Sequence, residues 1–407
     1  MPLTDHPTPS TTYRAILRSP YATRLLVGTL VGRLPAGMVP VAIVLVVTAE
    51  SGPLALGGLL SAVYGLASAL AQPAKGRLMD RFGPVRVSGP AAVLHSAGLL
   101  LLPWTVSTGE PAVVVGTVGI AGLCTPPLES GLRLLWPRVF PDPGRRKAAL
   151  ALDTGTQGVI HIAGPLLVAG LVTVQDPDAA FAAAAVLGLG GSALALTTLP
   201  ARAWRPAIAG GAARPGPLRG RGLGPVFTAV AGIGFTLGTM NIWASALADH
   251  HDTPLTSGLM PAAFSTGSLI GGLIFGRRTW PGSPPAQLLA TAAGFCAGWL
   301  PLLTAPSAAA ATVLVIVPGL FLAPVLAGAF TTTRTLAPAA RLGEAYGWLI
   351  LSLGAGHAAG TALAGHLTAT HPLAAPALLV AGAAAAVTAA AAARRHRTPA
   401  ASSPPRP

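Results

Sequence analysis

Long apolar runs, separated by short polar turns, make up most of the chain. Runs of about 18 residues or more can cross a hydrocarbon core of about 30 Å as helices. Because that core offers no water to unpaired backbone groups, such runs are predicted to be α-helices. In chain order the pattern predicts twelve spans, numbered 1 to 12 below: 22–48, 54–75, 87–107, 111–134, 148–174, 178–199, 223–248, 254–276, 286–304, 308–334, 343–369 and 373–393.

The composition supports a membrane protein. Of 407 residues, 52% are hydrophobic and only 9% are charged, whereas soluble domains carry about 25% charged residues. Fifty glycines and 40 prolines would argue against helices in water, but membrane helices tolerate both residue types. The predicted fold class is therefore all-α, with twelve transmembrane helices.

The positive charge is distributed unevenly along the chain. Apart from Arg33, the Lys and Arg residues lie in the N-terminus, in the loops that follow even-numbered spans, in the C-terminal tail or at the helix ends beside them. The positive-inside rule therefore predicts that both termini are cytoplasmic. The net charge of +14 forms no basic stripe interleaved with aromatic residues, so we expect no nucleic-acid partner. The opposite loops hold acidic residues instead: Glu50, Glu110, Asp176, Asp178, Asp249 and Asp252.

The chain also repeats itself. Residues 58–77 align without gaps to residues 258–277. A repeat of six predicted spans is typical of secondary transporters, whose binding site lies between the halves near the membrane midplane. The predicted organisation is a cytoplasmic N-terminus (1–21), a first six-helix bundle (22–199), a cytoplasmic linker loop (200–222), a second six-helix bundle (223–393) and a disordered cytoplasmic tail (394–407).

The loop after span 2, residues 76–86, holds four charges in the sequence GRLMDRFGPVR. It resembles the loop 2–3 signature of the major facilitator superfamily in six residues, but it departs from that pattern at Pro84 and Val85. The resemblance implies the twelve-helix major facilitator fold of a bacterial exporter in the cytoplasmic membrane. It also implies a latch that holds the outward-facing state; a solvated loop is the alternative. The matching residues are Gly76, Leu78, Asp80, Arg81, Gly83 and Arg86.

Span 5 carries a second resemblance, to the Gly-Pro motif of exporters in this family. The residues are Gly155, Gly164, Pro165 and Gly170. The resemblance implies proton-coupled antiport, although glycines are common enough in this chain to produce such a match by chance.

Four ionisable residues inside predicted spans form the main candidates for charges at membrane depth: Arg33, Glu129, Arg133 and Asp153. Charges at membrane depth are costly and are functional candidates by default. Their formal charges sum to zero, and Glu129 and Arg133 lie one helical turn apart. We expect Arg33 to pair with Glu129 or Asp153. A structural ion-pair cluster and a gating or proton-linked cluster both explain the four residues.

Asp153, Gln157 and His161 follow one another at intervals of four residues, which places them on one face of span 5. Lipid would not tolerate such a stripe, so it is predicted to face protein or a cavity. The candidates for proton coupling are Asp153, then His161, then Glu129. A neutral, hydrogen-bonded His161 is the alternative to a proton carrier.

Seven residues are candidates for the wall of a substrate cavity. The set combines polar groups of the first half with aromatic groups of the second, which would suit an amphipathic organic solute. Each residue has packing as its alternative role. The set comprises Arg33, Gln157, Asn241, Trp243, Phe321, Phe330 and His357.

The predicted function is secondary active transport of a small organic molecule by alternating access, in the form of proton-coupled efflux of a drug or natural product. The alternatives are uptake of a sugar or metabolite by proton symport and, from a different class, a non-transporting membrane sensor. An enzyme is not expected, because metalloprotease, serine-hydrolase and phosphate-loop motifs are absent from the sequence. Cys124 and Cys296 form no metal or disulfide spacing, and no cofactor or metal is predicted. The expected partners are the solute, protons and the lipid bilayer, with the chain as a monomer.

Overall fold

The computed structural model describes residues 9–108, 110–172, 175–205, 222–250, 256–278, 280–304, 307–370 and 375–395, and all regular structure in these ranges is helical. Each predicted span corresponds to a helix or to two consecutive helices. In chain order the helices of the first half are Pro20–Arg33 with Pro35–Ala49, Leu54–Phe82, Pro84–Thr108, Pro111–Leu123 with Leu128–Val139, Pro143–Val172 and Asp178–Leu196. Those of the second half are Leu223–His250, Thr256–Arg277, Pro284–Trp299 with a 3-10 turn at Leu300–Thr304, Ala308–Leu314 with Ile316–Leu336, Leu342–Thr370 and Ala375–Arg395.

Prolines set many of the helix starts. Pro20, Pro84, Pro111 and Pro143 are each the first residue of a helix, where the missing N–H costs nothing because first-turn N–H groups have no intrahelical partner. Pro35 restarts span 1 after an interruption at Leu34. These four helices begin at, or within a few residues before, the predicted span starts at 22, 87, 111 and 148.

Span 4 unwinds at residues 124–127, which include two adjacent prolines. Two backbone carbonyls near this break accept hydrogen bonds from side chains of other spans. The Lys75 Nζ donates to the Thr125 carbonyl at 2.5 Å, and the His95 Nδ1 lies 2.8 Å from the Ala121 carbonyl oxygen. These two buried side chains, which sequence reasoning did not single out, are thus explained as partners of an interrupted helix.

Each half has apolar clusters of its own, and a small cluster of Ala151, Phe275 and Ala327 joins the two halves. The second half packs around one cluster that includes Phe264, Phe295 and Trp299, whose rings stack or meet edge to face with centroids 5.8–6.5 Å apart. The first half has one cluster around Phe181 and a second around Trp136.

Two segments predicted as connections contain structure. The N-terminal segment 1–21 includes a helix, Pro9–Arg18, and its Ile16 is fully buried against the Trp136 cluster. The linker loop begins with a short helix, Leu199–Arg202. The remaining linker residues, 206–221, and the tail residues 396–407 lie outside the described residues.

Ten stretches of the described chain are long and apolar enough to cross a membrane. The two predicted spans that fall short of this criterion are span 2, Leu54–Phe82, and span 11, Leu342–Thr370. These two spans belong to different halves and pack against each other. Their lower hydropathy is consistent with a position between protein elements, where polar and small residues are tolerated.

The halves meet mainly through span 2 with span 11 and through span 5 with span 8. The closest approaches join Gly76 to Gly343 and Gln72 to Gly347 in the first pair, and Gly158 to Ser265 in the second. Gly76, Gly343, Gln72 and Gly347 lie toward the end of the bundle that carries the loops after even-numbered spans, which we call the basic end. Gly158 and Ser265 lie near the middle of their helices. The described interface thus joins the two halves at the basic end and near the middle of the bundle.

Candidate functional site: a buried charge cluster and an interdomain latch

Four side chains form a continuous chain of ion pairs across spans 1, 4 and 5, which we call the charge cluster. The Arg33 Nη2 lies 2.6 Å from the Glu129 Oε2. The Arg133 guanidinium pairs with the other oxygen of Glu129 and places its Nε 3.1 Å from the Asp153 Oδ2. The expected pairing of Arg33 with a carboxylate is confirmed, and the partner is Glu129.

The unwound turn of span 4 positions the centre of this cluster. The helix restarts at Leu128, which puts Glu129 in its first turn, where the helix dipole favours a carboxylate. Arg133 follows one turn later on the same face. The side chains of Arg133 and Asp153 are only 1% and 4% exposed, so each charge depends on its partner for compensation.

The polar stripe of span 5 faces this cluster. Besides the contact of Asp153 with Arg133, the Gln157 Nε2 donates to the Glu129 Oε1 at 2.6 Å. The backbone at His161 continues the helix, but its side chain lies outside the described part of the chain. The prediction that the stripe faces protein is therefore confirmed for Asp153 and Gln157.

One contact joins the charge cluster to the second half. The Arg133 guanidinium lies over the ring of Phe330 in span 10, 3.4 Å from the ring centroid, a favourable cation–π geometry. Phe330 in turn meets Tyr346 of span 11 edge to face, with centroids 5.3 Å apart. A movement of the second half relative to the first would therefore disturb the surroundings of Arg133.

The loop after span 2 contacts the second half through its acidic residue. The Asp80 carboxylate accepts the Gly343 N–H at 2.7 Å and the Glu344 N–H at 2.9 Å. Both donors lie in the first turn of span 11, where backbone N–H groups lack helical partners and attract anions. Arg77 adds an ion pair to Glu344 at 2.6 Å.

Glycines permit this close approach. A Cβ atom at Gly76 would lie 2.1 Å from the carbonyl oxygen of Gly343, so any larger residue would separate spans 2 and 11. Gly83 adopts φ +89° where span 2 ends, a conformation that other residues rarely adopt. It also lies against the ring of Trp204 from the linker segment.

The partners of Asp80 are backbone groups and not the neighbouring arginines. Arg77 binds Glu344, and Arg81 is exposed, with its guanidinium over the Phe82 ring. Arg86 is also exposed. Sequence reasoning missed Glu344, although an acidic residue in the first turn of a span at the otherwise basic end was an available signal.

The Gly-Pro motif of span 5 lies at two helix contacts. Gly155 faces Leu269 of span 8, and Gly164 packs so closely against Gly37 of span 1 that a Cβ atom would lie 2.6 Å from the Gly37 carbonyl carbon. Pro165 lies inside the helix that continues to Val172. For Gly170, a Cβ atom would meet no heavy atom outside the local helix within 4 Å.

The candidate wall residues of the second half divide into two groups. Asn241 and His357 join spans 7 and 11, with the Nδ2 and Nε2 atoms 3.2 Å apart, and Asn241 is exposed. Trp243 is instead 4% exposed in the core of the second half. Phe321 packs over Gly294 of span 9. Trp243 and Phe321 thus pack within the second bundle: Trp243 occupies a core position, and Gly294 leaves room for the ring of Phe321.

No group of three or more His, Cys, Asp or Glu side chains suited to a metal ion occurs among the described residues. The salt bridges described here belong to the charge cluster or to the contacts of Asp80 and Arg77 with the first turn of span 11. We call the second set, formed by Asp80, Arg77, Gly343 and Glu344, the latch.

Comparison with known proteins agrees with this architecture. The family model described as Major Facilitator Superfamily matches residues 25–316. The chain belongs to this superfamily. It is therefore a multi-pass membrane protein of a family of small-molecule transporters.

Solved structures of this superfamily share the fold at low sequence identity. A bacterial homologue of the iron transporter ferroportin, in an outward-facing state, superposes with a TM-score of 0.70 at 16% identity over 92% of this chain and 98% of that chain. The transporter FucP, in its outward conformation, gives 0.67 at 12% identity over 94% and 99%. The human organic anion transporter MFSD10 gives 0.68 at 16% identity over 92% and 100%.

A curated relative is the uncharacterized MFS-type transporter y4rN of Sinorhizobium fredii (strain NBRC 101917 / NGR234). It is 29% identical over 171 residues, which are 41% of this chain and 42% of that protein. The chain thus matches less than half the length of this relative.

The Arg33–Glu129 pair yields a stability prediction. Arg33→Ala leaves a buried excess negative charge, and breaking a buried pair costs about 3–5 kcal/mol. The 20% exposure of the Arg33 side chain places the expected loss toward the lower value. Thermal unfolding of the purified protein in detergent measures this loss.

The same experiment includes a second-site test and a control. Adding Glu129→Gln to Arg33→Ala leaves Arg133 paired with Asp153, so we expect part of the lost stability to return. Arg24→Ala, an exposed arginine in the same span, should have little effect. Equal losses from Arg24→Ala and Arg33→Ala would argue against the pair as a stabilising element.

The latch yields a conformational prediction. Asp80→Asn replaces one acceptor oxygen by an NH₂ group, so one of the two span 11 N–H groups loses its partner. We expect the basic end to open more often. Spin labels are placed on Arg86→Cys and Ala339→Cys in a background of Cys124→Ser and Cys296→Ser. Double electron–electron resonance should then show a larger share of long distances between the two labels.

Two variants serve as comparisons for the latch. Arg77→Ala removes a pair whose arginine side chain is 70% exposed, so its effect should be smaller than that of Asp80→Asn, because exposed pairs contribute little. Asp142→Asn changes an exposed acid at the same end and should leave the distances unchanged. If Asp80→Asn behaves like Asp142→Asn, the loop is a solvated connection and not a latch.

Proposed function

We propose that this transporter exports a small organic molecule from the cell in exchange for protons, and that Asp153 is the carboxylate that takes up and releases the proton. The observation that carries the proposal is the charge cluster: the buried carboxylate of Asp153 and the partly buried one of Glu129 share Arg133, which also contacts Phe330 of the second half. Intramembrane carboxylates of this kind recur in proton relays of pumps and transporters.

Hydrogen bonding favours Asp153 over Glu129 as the proton acceptor. Glu129 receives donors from Arg33, Arg133 and Gln157. The one side-chain donor described for the Asp153 carboxylate is the Arg133 Nε. Protonation of Glu129 would weaken three charge-stabilising contacts, whereas protonation of Asp153 would weaken one.

The shared arginine supplies a route from the proton to the conformation. With Asp153 charged, Arg133 is held between two carboxylates and lies over Phe330. With Asp153 neutral, Arg133 is drawn toward Glu129 alone, and the position of its guanidinium over the Phe330 ring changes. Two arrangements of one side chain at the boundary between the halves are the kind of bistable element that alternating access needs.

The direction of insertion follows from charge. The loops at the basic end carry the Lys and Arg residues, so the positive-inside rule places that end and both termini in the cytoplasm of a bacterial cell, with the protein in the cytoplasmic membrane. The described contacts between the halves then close the cytoplasmic side.

The solute is proposed to be an amphipathic organic molecule such as a drug or natural product. Gln157 lies beside the charge cluster in the first half, and the Asn241–His357 pair provides polar groups in the second. These groups come from both halves, since span 5 belongs to the first half and spans 7 and 11 belong to the second. A site at the repeat interface is expected to draw on both halves.

The test of proton coupling begins with a carried compound. Accumulation of a drug panel in cells with and without the protein identifies one, and the purified transporter is then reconstituted in liposomes with that compound. Wild type should drive uphill movement under a pH gradient. Asp153→Asn should abolish this uphill movement while preserving downhill exchange of the compound, because the amide cannot carry a proton.

The matched control is Asp142→Asn, the same change at an exposed acid eleven positions earlier in the chain, which should retain coupling. If Asp153→Asn still releases protons on binding the compound with an unchanged pH profile, Asp153 is not the coupling group, and His161 becomes the residue to test. If wild type shows no proton release and no response to the gradient, the chain is a facilitator rather than an antiporter.

A further inference from the structure

A cavity lies at the basic end, between the two halves. Its volume is about 360 Å³, within the range of small-molecule sites. The first half contributes the ends of spans 4 and 5, and the second half contributes spans 8 to 11. Four cationic side chains line it, and no Asp or Glu is among its described lining residues: Arg133, Arg146, Lys147 and Arg334.

Three of these cations lack an anionic partner within the described part of the chain. None of the salt bridges found there includes Arg146, Lys147 or Arg334. The Lys147 Nζ lies 4.4 Å from the ring centroid of Phe275 and only within a long 3.5 Å of the Gln287 Oε1. Arg146 and Arg334, from opposite halves, repel each other, and the attraction of Arg146 to Asp142, which does not line the cavity, is weaker than that repulsion. Such an arrangement is electrostatically incomplete without an anion.

Two buried N–H donors of residues that line the cavity also lack an acceptor in the described ranges. The Nη2 of Arg133 and the Nε1 of Trp136 are buried and have no hydrogen-bond acceptor among the described residues, and both residues line the cavity. Glu129 and Asp153 pair with the Arg133 guanidinium, which is 1% exposed. Buried N–H groups normally have an acceptor, and an anion in the cavity would supply one only after a small shift of the side chains that cover these two donors.

We propose that this cavity binds a phosphate group, carried either by a free anion or by the headgroup of an anionic lipid. Arginine guanidinium groups match phosphate oxygens in pairs, and lysine adds a point charge. Basic pockets between membrane helices on the cytoplasmic side are suited to phosphate headgroups. The aromatic rings of Phe275 and Trp280 at the same cavity would pack against the less polar part of such a ligand.

The position of the site gives the ligand a consequence. Arg146 and Lys147 belong to the first half, and Arg334 belongs to the second. A phosphate bound by the cations of both halves would neutralise the repulsion between Arg146 and Arg334. It would also join the halves at the basic end, in addition to the latch. The bound anion would thus stabilise the arrangement closed at that end. This inference is independent of the proton-coupling proposal, because it concerns binding and not transport.

The test measures binding on the whole protein. Thermal unfolding is followed for wild type and for the double variant Arg146→Gln/Arg334→Gln. One arm adds inorganic phosphate, against chloride of equal ionic strength, to protein in phosphatidylcholine nanodiscs. The other arm compares nanodiscs of phosphatidylglycerol with nanodiscs of phosphatidylcholine, without added phosphate.

We expect one or both arms to raise the Tm of wild type by about 2 °C or more, as for a ligand that binds the folded state well above its Kd. The double variant should lose most of this shift. Arg145→Gln removes a neighbouring arginine that is exposed and does not line the cavity, and it should keep the full shift. Comparison with the double variant also removes the general stabilising effect of phosphate as a salt.

A shift with inorganic phosphate assigns the site to a free anion, and a shift with phosphatidylglycerol alone assigns it to a lipid headgroup. Either result supports the site. If the double variant does not elute as a folded monodisperse protein, Lys147→Gln replaces it with the same expectation. The absence of a shift in both arms, or an equal shift in wild type and variant, would overturn the proposal.

Discussion

The burial of charge in an apolar bundle is the constraint on which the rest of this structure depends. Arg133 is almost fully buried, and it remains acceptable there because Glu129 and Asp153 both contact it. That arrangement needs spans 1, 4 and 5 at close range, and the glycines at positions 37 and 164 allow spans 1 and 5 to approach each other. Helix packing in the first half is therefore tied to charge compensation as well as to apolar burial.

The backbone at the break in span 4 also needs partners for its polar groups. Two adjacent prolines end the first helical segment, and Lys75 and His95 provide partners for carbonyl groups near the break. The restart at Leu128 then puts Glu129 where the helix terminus favours a negative charge. A local defect in one helix thus places the carboxylate at the centre of the charge cluster.

Two contacts between the halves involve charged side chains and differ chemically from apolar packing. One is the latch, in which a carboxylate of the first half binds backbone N–H groups of the second. Another is the stack of Arg133 on Phe330. Close packing of span 2 on span 11 and of span 5 on span 8 accompanies these two contacts. Within each half, by contrast, extensive cores of buried side chains favour movement as a rigid body.

The sequence by itself determined the helical class, the twelve spans and the two-fold repeat, because lipid restricts the backbone to helices and prolines mark helix starts. It also limited the partners of Arg33, since few carboxylates lie at membrane depth. Only the tertiary structure decided that Glu129 is that partner, that Asp80 binds the first turn of span 11, and that Trp243 and Phe321 pack within the second half. The physical reason is that these choices depend on distances between residues far apart in the chain. The spacing of residues along one helix reveals which side chains share a face, but the rotation and approach of neighbouring helices select the partner that each side chain meets.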